Sequence, residues 1–134
     1  MRTLLCLVAV AGLLLCATPA LAHHSFAAEF DVNRTVTLKG TVTKMDWVNP
    51  HVWVYMDVRD PNGTTVNWRV EAGNPNSLYR AGWTKNSLPV GAAIVIEGFG
   101  ARDGTPTANA RSVTFADGKR LFAGSNAPDA PPSK

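Results

Sequence analysis

Cysteine is almost missing from this sequence. The two present, Cys6 and Cys16, both fall in an apolar stretch near the start. Once that stretch is removed, the chain has neither a disulfide nor a thiol, which excludes redox-thiol and cysteine-nucleophile chemistry. Histidine is nearly as scarce, at positions 23, 24 and 51 only. The serines are scattered, with no G-x-S-x-G elbow, and there is no phosphate-binding glycine loop, dinucleotide fingerprint or helical H-E-x-x-H. Acidic residues sit in turns and at strand ends and form no pair of the kind that hydrolyses glycosides. A non-catalytic protein is therefore expected. Lys and Arg number 13 against 10 Asp and Glu, for a net charge of +3, and no basic run occurs. Nucleic acid is not an expected partner.

The one long apolar run explains itself. Arg2 is followed by nearly unbroken apolar residues from Leu4 to Ala17, then Thr18-Pro19-Ala20-Leu21-Ala22. A basic start, a short apolar centre and small residues at Ala20 and Ala22 are the parts of a secretory signal cleaved after Ala22. The run is too short and too weakly flanked for a membrane span, so no span is expected after cleavage. Lipid attachment at Cys16 would want a small residue before it, and Leu15 is not small. The expected organisation is a signal peptide (1–22), an N-terminal arm (23–33), a β-domain (34–123) and a disordered tail (124–134), with the mature protein periplasmic. About 110 residues remain after cleavage, enough for one compact domain.

Within the domain, the pattern alternates. Val36, Leu38, Gly40 and Val42 are set against Thr35, Thr37, Lys39, Thr41 and Thr43, which reads as a first strand over 34–46. Gly40 inside that run suggests a bend or a close approach of another backbone. Asn49-Pro50 is a turn. A second strand, 51–59, puts Val52, Val54, Met56 and Val58 inward and His51, Trp53, Tyr55 and Asp57 outward. A two-residue Asn62-Gly63 turn would set apolar against polar along the next ladder. A three-residue loop, Pro61-Asn62-Gly63, instead pairs Val58 with Val66, Met56 with Trp68 and Val54 with Val70, and its residues suit a type I turn with a left-handed glycine. The outer face then aligns Asp57 with Asn67, Tyr55 with Arg69 and Trp53 with Glu71. Asn74 as N-cap, Pro75 and a stop at Gly82 mark a short helix. Strands over 92–101 and 108–115 follow, then a small terminal hairpin turning at Asp117-Gly118. Trp68 and Trp83 are expected in the core, the latter beneath the helix.

Five strands with a helix between the third and fourth is the order of the OB-fold, a partly open five-stranded barrel. An immunoglobulin-like sandwich would want about seven strands and no such helix.

Two constellations could carry function. On OB folds the second and third strands often present the ligand face, and here they carry Trp53, Tyr55, Arg69 and Glu71. Aromatics there would stack planar groups and charged residues would orient them, so a small ligand or a periplasmic protein is the expected partner. Alternatively, the arm over Phe26–Phe30 lies across these aromatics and buries them. The second constellation is His23, His24 and His51. If processing leaves His23 first, its α-amine and ring form a chelating pair for Cu(II), with His24 and His51 as further imidazoles. That arrangement is similar to the histidine brace of copper oxidases and copper carriers. Against it stands a structural role for His51, packed over Trp47 or bonded to the Asn49-Pro50 turn.

Taken together, His23-His24-Ser25-Phe26-Ala27-Ala28-Glu29-Phe30-Asp31, then Leu38-Lys39-Gly40-Thr41-Val42, Trp47-Val48-Asn49-Pro50-His51 and Leu78-Tyr79-Arg80-Ala81-Gly82-Trp83 resemble a family of small exported bacterial proteins catalogued as a domain of unknown function. The resemblance spans essentially the whole mature chain. It implies a Gram-negative, periplasmic, OB-like protein and supplies no activity. Both histidine segments belong to the family's pattern.

Overall fold

The computed structural model describes residues 26–124. The expected leader, His23, His24 and the expected tail beyond Gly124 lie outside the described residues. The elements run α1 (Phe26–Glu29), β1 (Phe30–Asp46), β2 (Trp53–Arg59), β3 (Thr65–Glu71), α2 (Pro75–Arg80), β4 (Ala93–Ala101), β5 (Thr107–Phe115) and β6 (Arg120–Phe122).

β1 is long enough to serve two neighbours. Its first part pairs antiparallel with β4 and its last part with β2, the two sharing Gly40 and Thr41. The strand must coil sharply there, and the residue that permits it is Gly40. A Cβ at this position would stand 2.1 Å from the carbonyl oxygen of Asp57, so only glycine lets β2 come this close. β2 and β3 form the hairpin in the expected register, from Trp53↔Glu71 to Arg59↔Thr65. Gly63 closes its loop at φ 86°, the left-handed position that the three-residue turn requires. β4 pairs antiparallel with β5, and β5 closes onto β3 in parallel through Arg69↔Thr107, Val70↔Ala108 and Glu71↔Asn109. The result is a ring of five strands in the order β1-β2-β3-β5-β4, the OB-like arrangement expected, with α2 between β3 and β4 and β6 added to β5.

The inward faces fill the ring. Val42, Val52, Val54, Met56, Val70, Leu78, Trp83, Ile96, Ala108, Ala110 and Val113 are all buried. Trp83 is fully enclosed, and its indole Nε1 donates to the Phe122 carbonyl at 2.9 Å. Trp68 is half-buried against the same core. α2 is capped as its sequence predicts, with the Asn74 side chain accepting from the Ser77 N–H at 2.9 Å.

The N-terminal arm departs from expectation. Instead of an extended lead-in to a strand beginning at Arg34, the chain makes one helical turn, α1, and β1 starts at Phe30. The physical reason is a second, smaller apolar cluster. Phe30, Phe99 and Ala101 are buried together, and the Phe26 ring lies 5.5 Å from Phe30 and 5.6 Å from Phe99. The Arg102 Nε donates to the Ala27 carbonyl at 2.6 Å, and its backbone N–H to that of Glu29 at 2.9 Å. These contacts hold the arm against β4. Its phenylalanines pack on Phe99, so the expectation that they lie across Trp53 and Tyr55 is not met. Among the described residues no helix is long and apolar enough to cross a membrane.

Candidate functional site

The hairpin register decides which side chains meet on the outer face. Trp53 stands opposite Glu71 and Tyr55 opposite Arg69, and the ring closure sets Asn109 beside Glu71. One strand farther on, Phe99 is the partner of Asn109. A single row therefore crosses four strands: Trp53, Glu71, Asn109, Phe99. The arm's Phe26 sits on the last of these.

The expected ligand set divides in two. Trp53, Tyr55 and Arg69 form a surface. The Arg69 guanidinium lies 3.7 Å from the centre of the Trp53 ring, and the Lys44 ammonium 5.2 Å from that of Tyr55. Each aromatic thus carries a cation on its own face, an arrangement favoured by the ring quadrupole. Arg69 remains exposed. Its planar guanidinium, backed by the indole, presents a flat cationic platform with donors along its edge.

Glu71 departs from the expected surface position. It shares the outer side of β3 with Arg69, yet it is only 8% exposed. Its Oε1 accepts from the Asn109 Nδ2 at 3.2 Å and stands 3.3 Å from the Nδ1 of His51. Burial pushes the Glu71 carboxyl above its ordinary value, and the nearby Glu29 carboxylate adds to this. His51, the bond from Asn109 and Arg69 act in the opposite sense without cancelling it. A buried carboxylate of this kind contributes little to stability compared with an apolar side chain of similar size. What it does do is fix an imidazole. With Nδ1 turned to Glu71, His51 keeps Nε2 without a hydrogen-bond partner among the described residues, and its side chain is 28% exposed.

Of the three histidines expected to meet, only His51 is described; His23 and His24 lie outside the described residues. Among the described residues no group of three or more His, Cys, Asp or Glu could hold a metal ion. Asn109, which holds Glu71, has no counterpart in the sequence reading. A signal for it existed. In Ala108-Asn109-Ala110 a polar side chain alternates with two small inward residues on a strand, which places it outside and leaves it room.

The sequence model of a family of unknown function (DUF6152) matches residues 10–110, most of the chain, and the chain belongs to that family. No curated protein and no solved structure matches it.

Proposed function

We propose that this protein is an exported, non-catalytic binding module whose site is the outer face of β2 and β3, with His51 at its centre. Export rests on Arg2, the apolar run and the Ala20/Ala22 pair. The observation that carries the binding reading is the buried Glu71, which orients a half-buried imidazole on the face that holds the guanidinium–indole platform. The ligand this chemistry suits is a planar anion. It stacks on the outward face of the Arg69 guanidinium, sets its charge against Arg69, since Lys44 is already paired with Asp46 at 2.8 Å, and accepts from or donates to Nε2 of His51.

The test is a nuclear magnetic resonance titration of the signal-processed protein with benzoate, with cyclohexanecarboxylate as the non-planar control. Saturable shifts at the Trp53 indole, the His51 ring and the Arg69 side chain, weaker with the control and lost in Arg69→Ala, are expected. Shifts that fail to saturate, or that centre elsewhere, would overturn the reading.

A second reading, copper binding, is favoured by one specific feature. A carboxylate on Nδ1 with Nε2 left over is the orientation in which metal-bound histidines are held by their supporting groups. His51 would then be joined by His23, through amine and ring, and by His24. From Phe26 back to His23 the chain can span about 10 Å. A Cu(II) titration followed by electron paramagnetic resonance tests this. Nitrogen hyperfine structure lost in His51→Ala, and lost again when one extra residue precedes His23, is the required result; binding indifferent to both changes removes copper.

A further inference from the structure

The outer face of β2 and β3 combines three features, and a simple planar anion uses only two of them. The first is continuity. Val52 is fully buried, and its backbone extends the hairpin ladder by one step, donating to the Gly73 carbonyl at 3.0 Å and accepting from the Ala72 N–H at 2.8 Å. His51 therefore lies on the outward side with Trp53, about 7 Å along the strand. The β2–β3 register runs from Trp53↔Glu71 to Arg59↔Thr65 without a bulge. Two contacts tie the face together: His51 reaches Glu71, the residue opposite Trp53, and Arg69 covers the Trp53 ring.

The second feature is the state of the His51 ring. Among the described residues, the buried side-chain atoms without a partner are Asn109 Oδ1 and Arg111 Nε. The Nε2 of His51 also has no partner there but is not one of these buried atoms, so it is open to solvent. The carboxyl beside Nδ1 draws the ring proton to that nitrogen and leaves the Nε2 lone pair available, the state in which an imidazole ligates a metal. The third feature is Arg69. It is exposed, and its guanidinium donors have no hydrogen-bond or ion-pair partner among the described residues.

A metal-free planar anion satisfies Arg69 and the indole but leaves the Nε2 lone pair unused. A bare metal ion fares no better, because among the described residues no group of three or more His, Cys, Asp or Glu could hold one. A ligand that carries its metal already coordinated needs a single imidazole. We infer that this face takes an iron porphyrin, a planar tetrapyrrole with carboxylates at its rim. The Nε2 of His51 is the axial ligand to iron, and a rim carboxylate accepts from the Arg69 guanidinium. The inference deepens the planar-anion reading above and rests on it. The new bond is a coordinate one, from the imidazole lone pair to Fe(III), and consumes neither oxidant nor reductant. Because the site is an open face, the porphyrin keeps one side in solvent and can be passed on, as a carrier requires.

The experiment titrates the signal-processed protein with haemin and, separately, with metal-free protoporphyrin IX, followed by Soret absorption and porphyrin fluorescence. Haemin is expected to give an imidazole-ligated Soret band that saturates at one per chain. The band is lost in His51→Ala, retained in His23→Ala/His24→Ala, and titrates about tenfold more weakly in Arg69→Ala, as the loss of one charge-assisted contact implies. Metal-free protoporphyrin binds more weakly than haemin and is indifferent to His51→Ala. Glu71 is a positioning residue here: Glu71→Gln keeps haemin but raises the Fe(III)/Fe(II) potential, because the carboxylate no longer lends the imidazole the charge that favours Fe(III). All variants are compared as folded proteins with dispersed spectra. A haemin response indifferent to His51→Ala, an unmoved potential in Glu71→Gln, or equal binding of the two porphyrins would overturn the inference. If benzoate still saturates in that case, the planar-anion reading stands and the iron ligand falls; if benzoate fails as well, both fall.

Discussion

Gly98→Ala probes the point at which fold and site share a backbone. A Cβ at this position would lie 2.1 Å from the carbonyl oxygen of Asn109, 3.0 Å from its carbon and 3.1 Å from the Ala110 Cα. Carbon and carbonyl oxygen normally approach to about 3.3 Å, so β4 and β5 must separate locally by more than about 1 Å. All three atoms are backbone, so no side chain can swing away. Ladder bonds stretched by that amount are no longer hydrogen bonds. Two lost at about 1 kcal/mol each, with overpacking of about 1–3 kcal/mol, give a destabilisation of about 3–5 kcal/mol. For a domain of this size that lowers Tm by about 15–30 °C, measured by circular dichroism melting or by urea midpoints. Gly63→Ala provides the contrast. Its φ of +86° is unfavourable to alanine, but the nearest atom is a flexible Arg59 nitrogen at 3.8 Å, so only the backbone strain of about 1–2 kcal/mol is felt. In Gly98→Ala the His51 ring resonances should also shift, because Asn109 moves and Glu71 with it. A Gly98→Ala protein within about 1 kcal/mol of the parent, or one that leaves His51 undisturbed, would refute the reasoning.

Further outcomes follow from single contacts. Because folding raises the Glu71 pKa, the folded state binds more protons than the unfolded one, and stability falls as pH rises from the ordinary glutamate value through the raised one. Glu71→Gln, which never ionises, is therefore expected to melt higher than the parent at neutral pH, with the gap closing below the ordinary glutamate range; melting curves at several pH values check this, and a constant gap refutes it. Trp83→Phe removes the bond to the Phe122 carbonyl and leaves a void, costing about 2–4 kcal/mol by urea denaturation. Asn74→Ala deletes the cap of α2 and should cost about 1 kcal/mol, with amide exchange accelerated at Ser77.

Much of the ring could be read from the sequence because its information is local. The β2–β3 register follows from placing Val54, Met56 and Val58 against Val70, Trp68 and Val66, and it was realised residue for residue. Gly40 in an alternating run announced a close approach, and Asp57 supplies it. The arm was less legible. Phe26–Phe30 has no period, and the apolar surface that organises it, Phe99 and Ala101, lies some seventy residues away in the chain. The two cations over Trp53 and Tyr55 fall between these extremes: Lys44 is the direct cross-strand partner of the Tyr55 it covers, while Arg69 pairs with Tyr55 and reaches Trp53 only as a diagonal neighbour, which needs a twisted sheet.

Glu71 shows most clearly where local reading ends. On the hairpin alone it is one more outward polar residue opposite Trp53, indistinguishable in kind from Asn67 opposite Asp57. It becomes buried because β5 closes beside β3 in parallel and brings Asn109 onto it. Parallel closure is a non-local event, set by the whole ring and not by any pattern within β3. The sequence points to His51 for its chemistry, as a metal ligand, and separately to Glu71 for its face, as a ligand-orienting charge. The closure makes them a single unit, with the carboxyl behind the imidazole and the guanidinium–indole pair beside it. A site of this kind is assembled from three strands whose sequences each look ordinary. It is legible only once the ring order β1-β2-β3-β5-β4 is known, because that order makes Glu71 and Asn109 neighbours while His51 approaches from the loop that enters β2.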